Sequence, residues 1–237
     1  MVSTDCLYIK SDGSLDDGME LVSHPMSLDY HKSYYWKEIM RTAIRQGYRS
    51  HNTSTCGMHV HVNRSCMGET REEQDEVIGR ILFFVEKNWN ELLKFSRRSE
   101  YSMNRWAARY GYEKTGREIL DKAKKGNNGR YAAVNLMNYA TIEFRLFQFD
   151  APADGKQNGL HAGQLKSYIQ LCLALSELAK IQRNASSRPQ QHENPKYAMR
   201  TWLLRLGFIG DEFKTAREVL TKRLSGDGAF RNGRETA

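Results

Sequence analysis

The sequence predicts an α+β fold, and three observations carry that prediction. Short segments alternating apolar and polar residues recur at 6–10, 19–23, 58–62, 131–136 and 140–149. Longer stretches with apolar residues at helical spacing lie between and after them, at 71–95 and 165–181. With 237 residues, 40% hydrophobic and 11% aromatic, the chain can bury a substantial core as one domain of ordinary size.

Composition narrows the function classes. There are 36 Lys and Arg against 28 Asp and Glu, a formal charge of +8. That excess suits anionic partners (nucleotides, acidic small molecules, an acidic protein, nucleic acid) without selecting among them. Cys6, Cys56, Cys66 and Cys172 form neither a C-x-x-C pair nor a dense framework, so they read as free thiols in a reducing compartment. The first residues lack the basic start and apolar core of a secretory signal, and no apolar run approaches the ~20 residues of a spanning helix. A cytoplasmic location with no membrane partner is expected. No internal repeat is present.

In chain order, a strand at 6–10 is followed by Ser11-Asp12-Gly13-Ser14 as a turn, and a strand at 19–23 is stopped by His24-Pro25. This is a hairpin, in which Asp12 reads most simply as turn chemistry and Glu20 as a solvent-facing side chain. Ser27 caps a helix over 28–46 with Gly47 as its stop, and Tyr35, Ile39, Ala43 and Ile44 form its apolar face. Next comes Cys56-Gly57-Met58-His59-Val60-His61-Val62. In an extended strand its two histidines share one face, which suits a metal or a phosphate but also a half-buried strand with a polar side.

Thr70-Arg71-Glu72-Glu73 opens the longest helix, 71–95, whose Val77, Ile78, Ile81, Leu82, Val85, Trp89, Leu92 and Leu93 are core. The segment 97–130 reads as a solvated, partly helical insertion rich in Arg and Lys. Arg97, Arg98 and Arg105, among Tyr101 and Trp106, offer an acidic partner a surface. A turn at 126–129 leads to strands at 131–136 and 140–149. In the second of these, Thr141, Glu143, Arg145 and Phe147 share one face, and Ile142, Phe144, Leu146 and Gln148 the other. Because the latter face is apolar, the Glu143/Arg145 face must look at water or a cleft. After a turn at 150–155, a core helix carries Leu165, Ile169, Cys172 and Leu175. A polar linker at 184–195 then precedes helices at 196–206 and 211–224, with a disordered tail from 225.

On one concave antiparallel sheet Asp12, Glu20, His59, His61, Glu143 and Arg145 would converge. Hard divalent cations take oxygen ligands and bridge to substrate phosphates. A neighbouring arginine stabilises a transferring phosphoryl group. Such a set suits phosphoryl transfer better than structural zinc binding.

Four segments, Lys10-Ser11-Asp12-Gly13-Ser14-Leu15, Gly18-Met19-Glu20-Leu21-Val22-Ser23-His24-Pro25, the histidine strand, and Tyr131 to Leu136 with Thr141 to Phe147, resemble the amidoligase family. These are carboxylate–amine ligases related to glutamine synthetase and glutamate–cysteine ligase. The resemblance spans roughly 7–150, and four motifs in order are more specific than any one alone. It implies an antiparallel sheet curved around an active-site cleft, with helices outside and a helical part at 156–224 in the same domain as 1–155. ATP and Mg²⁺ (or Mn²⁺) would serve to phosphorylate a carboxylate, whose acyl phosphate an amine then attacks. By motif position Glu20, His59 and Glu143 would bind the metal, with Asp12 near the same cluster. His61 and Arg130 would contact the nucleotide phosphates, and Arg145 would stabilise the transferring phosphoryl group, so that Glu143 and Arg145 carry catalysis.

The family pattern also opens with a Gly-x-Glu-x-Glu strand that is not found ahead of 6–10. The resemblance therefore implies that another subunit or a longer chain supplies it, or that metal and ATP binding is impaired. The competing expectation is a catalytically degenerate relative that binds an acidic protein through its basic surface. Nucleic acid is disfavoured, since no helix-turn-helix, RNP or zinc-finger pattern occurs. Oligomers are compatible with the resemblance, but no interface is legible.

Overall fold

The computed structural model describes residues 6–15, 18–51, 53–126, 129–151 and 161–232. Strand β1 (Leu7–Ser11) pairs antiparallel with β2 (Met19–Ser23), joining Lys10 to Glu20 in register. Ser14 donates from both its backbone N and its Oγ to Asp12 Oδ1, each at 2.9 Å, which is the turn chemistry expected of Asp12.

The single helix expected over 28–46 is two. Ser27 caps α1 (Leu28–Ser33), and α2 (Trp36–Arg45) ends ahead of Gly47, whose φ of 85° only glycine adopts without strain. Tyr34 between them is extended, which lets Trp36 enter the core and stack on His31. The buried side of α2 is therefore Trp36 and Met40, and Tyr35, expected in the core, is 59% exposed.

Strand β3 (Met58–Asn63) leads through a 3-10 turn at Arg64–Met67 to α3 (Arg71–Lys87). Thr70 and Glu73 close a reciprocal capping box at its start. The predicted long helix is interrupted at Asn88, whose side-chain amide donates to the Phe84 carbonyl at 2.8 Å, and α4 (Trp89–Ser96) follows.

The segment 97–130 is not a solvated insertion. It holds α5 (Glu100–Trp106) and α6 (Gly116–Lys124), and it buries Met103, Ala107, Tyr110, Ile119, Leu120 and Ala123. Helix α6 lies against α3 so closely that a Cβ on Gly79 would stand 2.9 Å from the Gly116 carbonyl oxygen.

Strands β4 (Val134–Asn135) and β5 (Thr141–Phe147) complete a second antiparallel sheet in the order β3-β5-β4. Strand β4 is shorter than expected because the backbone before it bonds elsewhere: Ala108 N donates to Tyr131 O and Ala133 N to Ala108 O. The fold is mixed α+β, as predicted, but among the described residues its strands form two separate small sheets rather than one.

Helix α7 (Ala162–Ile181) packs on β3 and α3, α9 (Lys214–Thr221) closes over it and α4, and α8 (Pro195–Arg205) packs on α9. The apolar face of the β3-β5-β4 sheet, with Val60, Val62, Val134, Ile142, Phe144 and Leu146, is buried beneath these helices. A register shift of β3 against β5 between Met58 and Val60 breaks the alternation. Phe147, expected beside Glu143 and Arg145, instead stacks on Tyr168 of α7 at 4.2 Å.

The tail is held as far as it is described, because Asn194 Nδ2 donates to the carbonyls of Asp227, Phe230 and Arg231. The rest of the expected disorder, at 233–237, falls outside the described residues, as does most of the turn at 150–155.

Candidate active site

The polar face of the β3-β5-β4 sheet gathers four of its side chains around one carboxylate. In the β3–β5 register His61 lies opposite Glu143, and in the β4–β5 register Asn135 does so from the other side. Period-two alternation then puts His59, His61, Glu143, Arg145 and Asn135 on one face.

Glu143 is 6% exposed and fully engaged. Its Oε1 accepts from Arg145 Nη1 at 2.6 Å and lies 3.0 Å from His59 Nδ1, while its Oε2 accepts from Asn135 Nδ2 at 2.6 Å. His61 Nε2 stands 3.7 Å from the same Oε1, and its Nδ1 is 3.0 Å from Thr141 Oγ1. Arg145 also donates from Nε to the Trp106 carbonyl at 3.2 Å.

Burial pushes the Glu143 carboxyl up. The hydrogen bond from His59, the Arg145 and His59 charges and the Asn135 amide outweigh it and bring the group down to about 2. Burial lowers the His59 imidazole, and the nearby Arg145 adds to that effect against the pull of Glu143. His59 is therefore neutral at physiological pH, with Nδ1–H on the carboxylate and Nε2 as an acceptor. The face expected to look at water or a cleft is thus a closed ion cluster, with the histidines at its rim.

Beside it, across Tyr131, lies a hollow of about 410 Å³ lined by Lys10, Ser11, Asp12, Glu20, Arg130 and Tyr131. The Tyr131 ring is shared by the two regions. The Arg130 guanidinium stands 5.3 Å from its centroid, the Arg145 guanidinium 5.6 Å, and Trp106 meets it edge-on at 5.2 Å. The Ser14 backbone hydrogen bond, more than the Arg130 charge, lowers the Asp12 carboxyl. Glu20 pairs with Lys10 at 2.9 Å.

The structure therefore brings His59, His61, Glu143 and Arg145 together, and sets Asp12, Glu20 and Arg130 around the adjoining hollow. The four-residue metal set of Asp12, Glu20, His59 and Glu143 does not assemble. The hairpin is a separate sheet, Glu20 is committed to Lys10, and Glu143 Oε1 to Arg145. Among the described residues no group of three or more His, Cys, Asp and Glu side chains is placed to hold a metal ion. These residues do not fit a divalent cation as arranged. The guanidiniums of Arg145 and Arg130, on either side of Tyr131, are donors suited to an oxyanion.

Arg97, Arg98 and Arg105, expected to share a docking surface, are not exposed together. Arg97 and Arg98 are buried, the first with its Nε 2.8 Å from Asp150 Oδ1, and Arg105 alone is exposed. Sequence reasoning gave no role to Asn135, Tyr131 or Trp106. For Asn135 the signal was present, since strand alternation alone places it beside Glu143.

The chain matches, over residues 1–176, the family model described as "Putative amidoligase enzyme". It belongs to the amidoligase family. No curated protein and no solved structure matches it. Among the described residues no helix is long and apolar enough to cross a membrane. The segments that suggested amidoligases supply both the Glu143 cluster and the lining of the hollow.

Proposed function

We propose that this amidoligase joins a carboxylate to an amine through an acyl phosphate, with ATP as the phosphoryl donor. The observation that carries this is the buried Glu143 hub, which fixes Arg145 and orients His59 on one sheet face. In the first step a carboxylate oxygen attacks the terminal phosphorus of ATP and ADP leaves. In the second the amine attacks the acyl carbon, phosphate leaves, and the amine gives up a proton.

Arg145, held by Glu143 and the Trp106 carbonyl, supplies fixed positive charge to the phosphoryl oxygens. Arg130, on the wall of the hollow, and His61, at the rim of the cluster, contact the nucleotide phosphates. His59 accepts at Nε2 the proton that the amine gives up as it attacks, while Glu143 keeps its Nδ1 protonated. No step is routed through magnesium or manganese, because the residues expected to bind it do not come together here. An acidic-partner module gains no support, with Arg97 and Arg98 buried.

The test is ADP release by the purified chain across a panel of amines and carboxylates, with the Glu143→Gln protein alongside. Release that needs both substrates and disappears in Glu143→Gln is expected. Release that is equal in the two proteins removes the hub from the chemistry.

A further inference from the structure

Arg98 lies beside this cluster with no carboxylate counter-charge among the described residues. It follows Arg97, which is the one non-glycine residue among those described with a left-handed backbone, at φ 68°. That turn after α4 sends two consecutive arginines into the interior. Arg97 finds Asp150, whereas Arg98, 5% exposed, finds no carboxylate among the described residues. Its Nη1 donates to Ser102 Oγ at 3.2 Å, and its Nε is buried without a partner. The charges facing it are Arg145 and His59, and the acidic group near it is the Cys56 thiol. Burial first and Arg145 second lower its guanidinium to about 10, so it remains charged at neutral pH. An unpaired buried cation is among the costliest features a fold can carry, and a strained residue placing it points to use.

Gly57 shows where that use lies. A Cβ there would stand 2.0 Å from Arg98 Nη2 and 3.4 Å from His59 Nε2, so the guanidinium and the free imidazole nitrogen meet over a bare Cα. The His59 side chain is 24% exposed, which leaves this meeting point within reach of solvent.

We propose that Arg98 is an oxyanion-binding residue: its guanidinium, reaching over the bare Cα of Gly57, takes a tetrahedral phosphoryl group. The bound anion supplies the charge that the fold leaves out, and Gly57 is the residue that admits the guanidinium. That this group is the one passed from ATP to the carboxylate rests on the ligase function proposed above. The existence of the anion site does not.

The experiment is thermal unfolding in inorganic phosphate against acetate and chloride at matched ionic strength, for wild type, Arg98→Met and Arg98→Lys. Phosphate should raise the wild-type Tm saturably, Arg98→Lys should keep a weaker rise, and Arg98→Met should lose it. In chloride Arg98→Met should melt no lower than wild type, since it deletes an uncompensated charge and keeps the packing. A phosphate rise retained in Arg98→Met, or a collapse of that variant in chloride, overturns the proposal. So does alkylation of Cys56 by iodoacetamide that slows tenfold in Arg98→Met, because the counter-ion would then be an internal thiolate. ADP release absent from a wild type that still shows the phosphate rise would sink the ligase function and leave the anion site standing.

Discussion

Replacing Glu143 by glutamine should cost far more stability than a near-isosteric change ordinarily does, and replacing Arg145 as well should give part of it back. The Glu143 carboxyl is held at about 2 against an ordinary 4.5, which at 1.36 kcal/mol per pH unit corresponds to ~3 kcal/mol of folding stability at neutral pH. Glutamine removes that charge and leaves Arg145, 8% exposed, as a second buried cation beside Arg98, a situation that costs about 3–5 kcal/mol. For a chain of this size the loss corresponds to a fall in Tm of roughly 6–20 °C.

Urea unfolding of wild type, Glu143→Gln, Arg145→Met and the double variant measures the coupling directly. The double variant should lie above the sum of the singles by about 1–3 kcal/mol, since it adds no orphaned charge to that of Arg98. The folded-state value is the lower one, so the stabilisation is fully present above pH 4.5 and is lost as pH falls towards about 2. The gap between wild type and Glu143→Gln should close over that same window. Additive single variants, or a gap that persists at low pH, would refute the account of Glu143 as the charge that holds this face together.

Two further predictions concern the frame around the site. Gly79→Ala pushes a methyl group to 2.9 Å from the Gly116 carbonyl, backbone against backbone, so α3 and α6 must part; a loss of about 1–3 kcal/mol in thermal or urea unfolding is expected. Asp150→Ala strands Arg97, which is buried with its Nε 2.8 Å from the carboxylate, and frees Arg223 from its 2.6 Å bond, so a loss of about 3–5 kcal/mol is expected. Arg223→Ala, removing the exposed partner, should change stability by less than about 1 kcal/mol in the same assay.

Strand alternation carried most of what could be read in advance. It put His59 with His61 and Glu143 with Arg145, and the apolar residues between them told which side faces the helices. Alternation describes the face of a strand but not the sheet to which it belongs. Asp12 and Glu20 share the hairpin pattern of a curved sheet, yet β1 and β2 pair only with each other among the described residues. The helix breaks at Tyr34 and Asn88 were equally silent, because the apolar period runs through both and local bonds, not propensity, divide the helices. The basic segment misled for a different reason. Composition counts charges without regard to burial, and a run such as Arg97-Arg98 reads as surface unless a distant partner such as Asp150 is known.

That misreading matters for the chemistry, because it hid the charge balance of the site. Counted along the strands, Asp12, Glu20 and Glu143 make an acidic set with two histidines, the profile of a metal centre. Counted in space, Asp12 and Glu20 fall on the far side of Tyr131, Glu143 is taken up by Arg145, His59 and Asn135, and the buried Arg98 joins from a helix end that no strand pattern includes. Around the one carboxylate stand one guanidinium and two imidazoles, with the Arg98 guanidinium facing Arg145 and His59 from outside that ring. A carboxylate drawn down to about 2 is a poor site for protons, and one whose oxygens are already occupied by hydrogen-bond donors is a poor metal ligand. What it does well is hold cations in place. In such a site the anion is the group still missing, and a ligase that moves phosphoryl groups would supply it in the course of its own reaction.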